Sequence, residues 1–168
     1  MVAIAEAHQN QYSGLSLIFK KMEAIVQQLE NIINTYTVKF LNFTEAELSL
    51  KPSADKWSKK EIIGHLIDSA QNNIRRFIVT QYETTPNIVY AQDTWVNIQN
   101  YNNYNSKDLI TLWALLNKHI VVILKNMPAE KYQLQCNTGK GQEELHSIEF
   151  LATDYITHHL HHLKQIEQ

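Results

Sequence analysis

The sequence contains very few residues that interrupt helices. Only 4 glycines and 3 prolines occur among its 168 residues. Between them lie long segments in which apolar residues recur every three or four positions, a spacing typical of amphipathic helices. We therefore predict an all-α protein, a four-helix bundle with long connections, folded as a single domain over residues 1–168.

Four segments are long enough to be bundle helices: residues 15–36, residues 58–82, residues 106–126 and a last helix that follows Ser147 and runs almost to the end. The second should begin with a capping box, because Glu61 follows Ser58 by three residues. Pro128 prevents continuation of the third. The first helix should pack its apolar face against the core of the bundle. That face consists of Leu17, Ile18, Met22, Ile25, Leu29, Ile32 and Ile33.

Two connections differ in composition from the helices. The stretch "NIQNYNNYN", residues 97–105, is so polar that we predict an unpacked loop. Residues 129–146 contain Gly139 and Gly141 close together. They predict a loop, with a short hairpin before the last helix.

The charge balance limits the classes of partner. With 15 Lys and Arg against 17 Asp and Glu, the formal net charge is -2, which gives no broad positive field for nucleic acid or an anionic membrane. No apolar run approaches the roughly 20 residues of a membrane-spanning helix. The single cysteine, Cys136, excludes an internal disulfide. We expect a soluble, cytoplasmic protein without nucleic-acid or membrane partners.

The stretch "YITHHLHHLKQI" places four histidines in the predicted last helix. His158 and His162 are four residues apart and lie on one face, about 40° from each other, whereas His161 points about 100° away from His162. Two imidazoles at this spacing can bind one transition metal. The alternative is that the histidines decorate a solvated face or, for His159, fill a core position. The stretch alone leaves both interpretations open.

A further histidine begins a polar stripe on the second helix. His65, Ser69, Asn72 and Arg76 fall on one side, and the apolar residues fall on the other. For an isolated amphipathic helix, such a stripe is usually the solvent face. It could instead form one wall of a water-filled cavity inside the bundle. The periodicity does not decide between these two interpretations.

An ordered set of motifs carries a resemblance to a known family. The segment "DKWSKKEIIGHLIDSAQNNIRRF" is followed by "TPNIVYAQDTW" and finally by "THHLHHLKQI", over about residues 48–166. This order resembles the DinB-like superfamily, and most closely its YfiT-like branch of metal-dependent hydrolases, which includes bacillithiol S-transferases. The resemblance implies a four-helix bundle with a divalent metal held by three histidines. Carried onto this sequence, the ligands are His65, His158 and His162.

The resemblance also implies an enzyme. Three imidazoles leave a metal position open for water or for a thiol, so we expect a hydrolase or a thiol S-transferase acting on a small polar molecule, with a low-molecular-weight thiol as one candidate. Zn, Ni and Fe all suit three imidazoles. Asn72 and Arg76 are candidate substrate-binding residues. Asp68 is a candidate acceptor that orients a ligand histidine from outside the metal sphere.

Several residues leave the catalytic hypothesis incomplete. In the related sequences a carboxylate tends to follow the tyrosine of this loop directly, whereas here Tyr90 is followed by Ala91 and Gln92. Asp93 is the only acidic residue between Tyr90 and Trp95, so we do not predict a general base in this loop. We interpret His119 as a core or surface histidine and Cys136 as a structural thiol. The alternative function is a noncatalytic, metal-stabilised bundle that serves as a dimerisation or ligand-binding module, and a homodimer is compatible with either function.

Overall fold

The computed structural model describes the backbone of residues 2–168 and the side chains of residues 18–168. Six α-helices occur in this range, together with two strands and two 3-10 turns. The elements are α1 (Val2–Leu41), α2 (Glu45–Ser49), α3 (Lys59–Val79), α4 (Gln92–Gln99), a 3-10 turn (Tyr101–Asn103), α5 (Ser106–Asn126), a second 3-10 turn (Ala129–Lys131), β1 (Gln135–Asn137), β2 (Leu145–Ser147) and α6 (Ile148–Ile166).

The four long helices form the bundle that the sequence predicts. Around the bundle, α1 contacts α5, α5 contacts α3, α3 contacts α6, and α6 contacts α1. The apolar core lies between them. On α1 it includes Met22, Ile25, Leu29, Ile32 and Ile33, and Ile18 packs against it, whereas Leu17 lies outside the described side chains. None of the described helices is long and apolar enough to cross a bilayer.

Side-chain caps fix where the helices start. The Ser58 hydroxyl accepts from the Glu61 amide at 3.1 Å, and the Glu61 carboxylate accepts from the Ser58 amide at 2.8 Å, which completes the predicted capping box. The Ser147 hydroxyl accepts from the Phe150 amide at the start of α6. The Asn105 side chain caps α5. Because these caps are local in sequence, three of the four bundle helices begin where the sequence predicts.

The N-terminal end of α3 is tied to three neighbouring elements through a buried lysine. Lys60 is 1% exposed. Its ammonium group donates to the Glu45 carboxylate of α2 and to the carbonyl oxygens of Asn102 and Tyr104. Glu45 also accepts from the Ser106 hydroxyl at the start of α5. This network holds α2, the first 3-10 turn and α5 against the beginning of α3.

The prediction of an unpacked loop at residues 97–105 is wrong. Helix α4 extends to Gln99, a 3-10 turn follows over Tyr101–Asn103, and Tyr101 is only 2% exposed. The aromatic ring packs on α3 at Gly64, where a Cβ atom would lie 2.0 Å from Tyr101 Cδ2. Burial of this one ring outweighs the polar composition of its neighbours. The helix α2 was also not predicted, and α1 extends beyond the predicted residues 15–36 at both ends.

The hairpin before the last helix is present. Strands β1 and β2 pair antiparallel, with Cys136 opposite His146. The Asn137 side-chain oxygen accepts from the amides of Gly139 and Glu144 and so closes the loop, and Gly141 adopts a φ of 88° that favours glycine. Strand β2 ends at Ser147, the cap of α6, so the hairpin fixes where α6 starts.

Helix α3 is buried on its polar side as well as on its apolar side. Residues 61–70 are all buried, and within the polar stripe His65, Ser69 and Asn72 are 1%, 4% and 1% exposed. Arg76 is half-buried. The interpretation of this stripe as the solvent face is therefore wrong, because α6 and the segment that contains α4 cover it.

Candidate metal centre

Three histidine side chains converge between α3 and α6. His65 comes from α3, and His158 and His162 come from successive turns of α6. Their candidate ligand nitrogens all lie within 4.8 Å of one another. The Nε2 atoms of His65 and His158 are 3.0 Å apart, and the ring centroid of His162 lies 4.7 Å from that of His65 and 4.6 Å from that of His158.

The helical geometry explains this convergence. Residues four apart on an α-helix lie on the same face, which brings His158 and His162 next to each other. The contact between α3 and α6 then presents His65 to both. His65 is buried, while His158 and His162 are half-buried. The cluster is therefore buried at the residue from α3 and partly exposed at the two residues from α6.

A glutamine orients one of the imidazoles. The side-chain oxygen Oε1 of Gln165 lies 2.8 Å from His162 Nδ1 and accepts its proton, so that Nε2 of His162 keeps a lone pair. The amide nitrogen of Gln165 donates to His161 Nε2 at 3.0 Å. His161 is exposed. Gln165 was not predicted from the sequence, although its position three residues after His162 allows this contact on a helix.

The environment keeps the three imidazoles neutral. Burial, followed by repulsion from His158 and His162, lowers the pKa of His65 to about 3. Burial and the neighbouring histidines lower the pKa of His158 to about 4, and burial also lowers the pKa of His162. Near pH 7 each ring has one unprotonated nitrogen. Three neutral imidazole nitrogens suit a divalent transition metal and do not suit Ca²⁺ or Mg²⁺, which prefer oxygen ligands.

Asp68 is buried one helical turn after His65. Its Oδ1 atom accepts from Gln99 Nε2 and from the Tyr101 hydroxyl, each at 2.6 Å. Its Oδ2 atom and His65 Nδ1 are both buried without a hydrogen-bond partner among the described residues. Burial raises the pKa of Asp68, and the two hydrogen bonds oppose this shift. Asp68 thus lies one turn after His65 on α3, but its observed hydrogen bonds come from Gln99 of α4 and Tyr101 of the 3-10 turn.

Asn72 and Arg76 lie further along α3. Asn72 is 1% exposed; its Nδ2 donates to the Asp68 carbonyl oxygen, and its Oδ1 is buried without a partner in the described part of the chain. Arg76 donates through Nε and Nη2 to the carbonyl oxygen of Ile88, at 3.2 and 3.0 Å. At 1.5 Å rise per residue, Asn72 and Arg76 lie about 10 and about 16 Å along the helix from His65. They therefore lie outside the histidine cluster.

His159 and His119, whose side chains the structure describes, lie outside the cluster. His159 is fully buried, its Nδ1 lies 3.3 Å from the Tyr155 carbonyl oxygen, and burial lowers its pKa to about 3. It is a core residue with one hydrogen bond. His119 is exposed on α5.

Asp93 and Cys136, which the sequence analysis also considered, lie on α4 and β1. Asp93 is exposed on α4. Cys136 is fully buried in β1, where burial raises the pKa of its thiol.

A comparison with protein families identifies the chain. The family model of the DinB superfamily matches residues 28–166. The chain belongs to the DinB superfamily. The resemblance found in the sequence is thereby confirmed, over more of the chain than the motifs alone cover.

The relatives of this DinB-superfamily chain include several from Bacillus species. A protein of Bacillus pumilus, named "Putative metal-dependent hydrolase", is 26% identical over 150 residues, which cover 89% of this chain and 85% of the relative. A protein of Bacillus mycoides with the same description is 19% identical and covers 85% of this chain and 83% of its own length.

Two solved structures show the same fold. YfiT from Bacillus subtilis, described as a probable metal-dependent hydrolase with an unusual four-helix bundle topology, superposes with a TM-score of 0.74 at 19% identity, over 86% of this chain and 85% of YfiT. A mycothiol-dependent maleylpyruvate isomerase superposes with a TM-score of 0.69 at 12% identity. This match covers 84% of this chain and 59% of the isomerase. At these identities the likeness establishes the bundle and its topology.

Proposed function

We propose that this DinB-superfamily protein is a metal-dependent enzyme that acts on a small polar molecule by hydrolysis or by transfer of a thiol. His65, His158 and His162 hold a divalent transition metal, of which Zn, Ni and Fe are the candidates. The observation that carries the proposal is the convergence of three imidazole nitrogens within 4.8 Å, on one buried and two half-buried residues.

The protein supplies three nitrogen ligands and leaves room for a reacting molecule. When bound, the metal would lower the pKa of a coordinated water or thiol and so prepare a nucleophile near neutral pH. Gln165 keeps Nε2 of His162 unprotonated by accepting the proton of Nδ1. His158 and His162 are only half-buried, which fits a site that a small molecule has to reach.

Hydrolysis and thiol transfer each have support. The names of the Bacillus pumilus relative and of YfiT favour hydrolysis, and the mycothiol-dependent isomerase favours a low-molecular-weight thiol as cosubstrate. Asn72 and Arg76 are the proposed substrate contacts. Because they lie about 10 and about 16 Å along α3 from His65, only a substrate or cosubstrate of extended shape could reach both them and the metal.

The proposed role of Arg76 is to bind an anionic or carbonyl group of such a molecule. Its guanidinium already donates to Ile88, and it forms no ion pair with a carboxylate among the residues whose side chains are described. A half-buried guanidinium that is not held in an ion pair can bind an anionic ligand group.

The alternative is a noncatalytic bundle in which the metal joins α3 to α6, in a dimerising or ligand-binding module. Reconstitution of the metal-free protein separately with Zn²⁺, Ni²⁺ and Fe²⁺ tests the choice. Each form would be assayed for hydrolysis of small esters and amides and for conjugation of thiols to electrophiles. Metal-dependent turnover that His162→Ala abolishes would support the enzyme. Metal binding that raises the melting temperature without turnover in any assay would favour the alternative.

A further inference from the structure

His65 and Asp68 each have one buried polar atom without a hydrogen-bond partner in the described part of the chain: Nδ1 of the imidazole and Oδ2 of the carboxylate. His65 Nε2 faces His158 Nε2, so Nδ1 is its outer nitrogen. A histidine that gives Nε2 to a metal carries its proton on Nδ1, and that proton normally has an acceptor. The Nδ1 proton of His65 thus lacks an acceptor, and the Oδ2 atom of Asp68 lacks a donor.

His65 and Asp68 are three residues apart on α3. Side chains three residues apart are neighbours on the surface of a helix. Asp68 is 0% exposed, and its Oδ1 already accepts from both Gln99 and Tyr101 at 2.6 Å. Oδ2 is consequently the oxygen left for His65.

Tyr101 is held firmly in this position. Its ring occupies the space beside Gly64, the residue before His65, at a distance that excludes any Cβ atom. Its hydroxyl reaches Asp68 on the next turn of α3. Tyr101 therefore contacts α3 on both sides of His65, and Gln99, at the end of α4, adds a second donor to the same carboxylate oxygen.

We propose that Asp68, Tyr101 and Gln99 set the tautomer of His65: the Asp68 Oδ2 atom accepts the Nδ1 proton of His65, and Tyr101 and Gln99 hold the carboxylate for it. Tyr101 and Gln99 are positioning residues, because they act on the metal site only through Asp68. The inference rests on the proposed metal site and gives the segment from α4 to the 3-10 turn a role in preparing it.

The tautomer can be measured directly in the metal-free protein by NMR of ¹⁵N-labelled histidine. In the parent, we expect the His65 proton on Nδ1. In Asp68→Asn, the amide oxygen keeps the donors Gln99 and Tyr101 and turns its NH₂ group toward His65, which moves the proton to Nε2. Asp108→Asn, an exposed change on α5, should leave the parent tautomer. A His65 proton on Nε2 in the parent, or an unchanged tautomer in Asp68→Asn, would overturn the inference.

Metal affinity gives a second readout. In Zn²⁺ competition with a chelator, Asp68→Asn should bind about 10- to 100-fold more weakly than the parent, as is usual for outer partners of metal-binding histidines. Tyr101→Phe keeps the ring on Gly64, removes the hydroxyl and should weaken binding by a smaller factor. Tyr104→Phe is the matched control, because Tyr104 is 40% exposed and its ring lies 6.5 Å from that of Tyr101.

The outcomes separate this inference from the proposed function. Suppose that the parent binds Zn²⁺ and His162→Ala does not, which supports the metal site. If Tyr101→Phe then has the same Zn²⁺ affinity and the same His65 tautomer as Tyr104→Phe, the inference about Tyr101 and Asp68 fails and the proposed function stands. If the parent binds no metal, the proposed function fails, and the tautomer in the metal-free protein still decides the role of Asp68. Should Asp68→Asn not fold, Tyr101→Phe and Gln99→Ala provide the same comparison.

Discussion

At the scale of single residues, the nitrogens that face away from the cluster distinguish the three candidate ligands. His162 Nδ1 has Gln165 as its acceptor, whereas His65 Nδ1 is buried without a hydrogen-bond partner among the described residues. Such outer partners fix ring orientation and strengthen a ligand. They therefore decide how well a set of imidazoles works as a metal site.

Replacement of Gln165 tests this statement at an exposed position. We expect Gln165→Ala to weaken Zn²⁺ binding by about 10-fold, because the His162 ring loses its acceptor but remains in place. Competition with a chelator measures the change. Lys164→Ala, exposed on the same helix, is the control and should bind as the parent does. Equal affinities for the two variants would contradict the role of Gln165.

The sequence made part of this site predictable. The spacing of His158 and His162 predicts that the two side chains share a face, since helix geometry fixes their relative angle, but it does not decide whether they bind a metal. The burial of His65 was not predictable from periodicity, because a polar stripe looks the same whether water or another helix faces it. The family resemblance, not the spacing, selected His65. Gln165 was missed because a glutamine three residues after a histidine is common on helix surfaces.

At the scale of elements, helix starts are set by caps and helix neighbours are set by packing. The capping box of α3 is fully buried at Ser58, whose hydroxyl also donates to the Asn102 side chain at 2.6 Å. It joins the start of the helix that carries His65 to the 3-10 turn that carries Tyr101. The position of both residues depends on this junction.

Ser58→Ala should destabilise the protein by about 1–2 kcal/mol, because the first turn of α3 loses its cap and the Asn102 oxygen loses a donor. The shift in the midpoint of urea unfolding, multiplied by the m-value shared by parent and variant, gives the change in the free energy of unfolding. Ser53→Ala, in an exposed connection, should alter it by less than about 0.5 kcal/mol. If the two variants proved equally stable, the cap would not determine the stability of this end of α3.

Elements that start at a local cap were predicted from the sequence, whereas an element that depends on long-range packing was not. The starts of α3, α5 and α6 depend on Ser58, Asn105 and Ser147, which are visible in the chain. The turn at Tyr101 depends on a gap at Gly64, 37 residues earlier in the chain. A long-range contact of this kind has no local signature. The order of the helices around the bundle was also not predictable from their individual patterns.

At the scale of the whole molecule, the candidate ligands belong to two helices that are distant in sequence. His65 and His158 are separated by 93 residues. An ion bound by both α3 and α6 would bind the folded chain and not the unfolded one, and would therefore stabilise the fold by mass action. The bundle also has its own apolar core between all four helices, so we expect the metal-free protein to remain folded.

Chelation should lower the melting temperature of the parent without unfolding it. With free metal at 100 times the dissociation constant, the stabilisation is about 2.7 kcal/mol, which for a domain of this size corresponds to roughly 5–10 °C. Differential scanning calorimetry with and without chelator measures the shift. His162→Ala should show little shift, and a shift as large as that of the parent would place the stabilising ion elsewhere.

The central claim is that His65, His158 and His162 bind one ion together, and metal content per chain tests it most directly. The experiment saturates three proteins with Zn²⁺, removes loosely bound metal and measures zinc per chain by inductively coupled plasma mass spectrometry. The three proteins are the parent, His161→Ala and His162→Ala. We expect about one ion per chain for the parent and for His161→Ala, whose side chain points away from the cluster, and close to none for His162→Ala. Equal loss of metal in His161→Ala and His162→Ala would contradict it, because the histidines would then bind metal loosely as a group and His65 would have no part in the site.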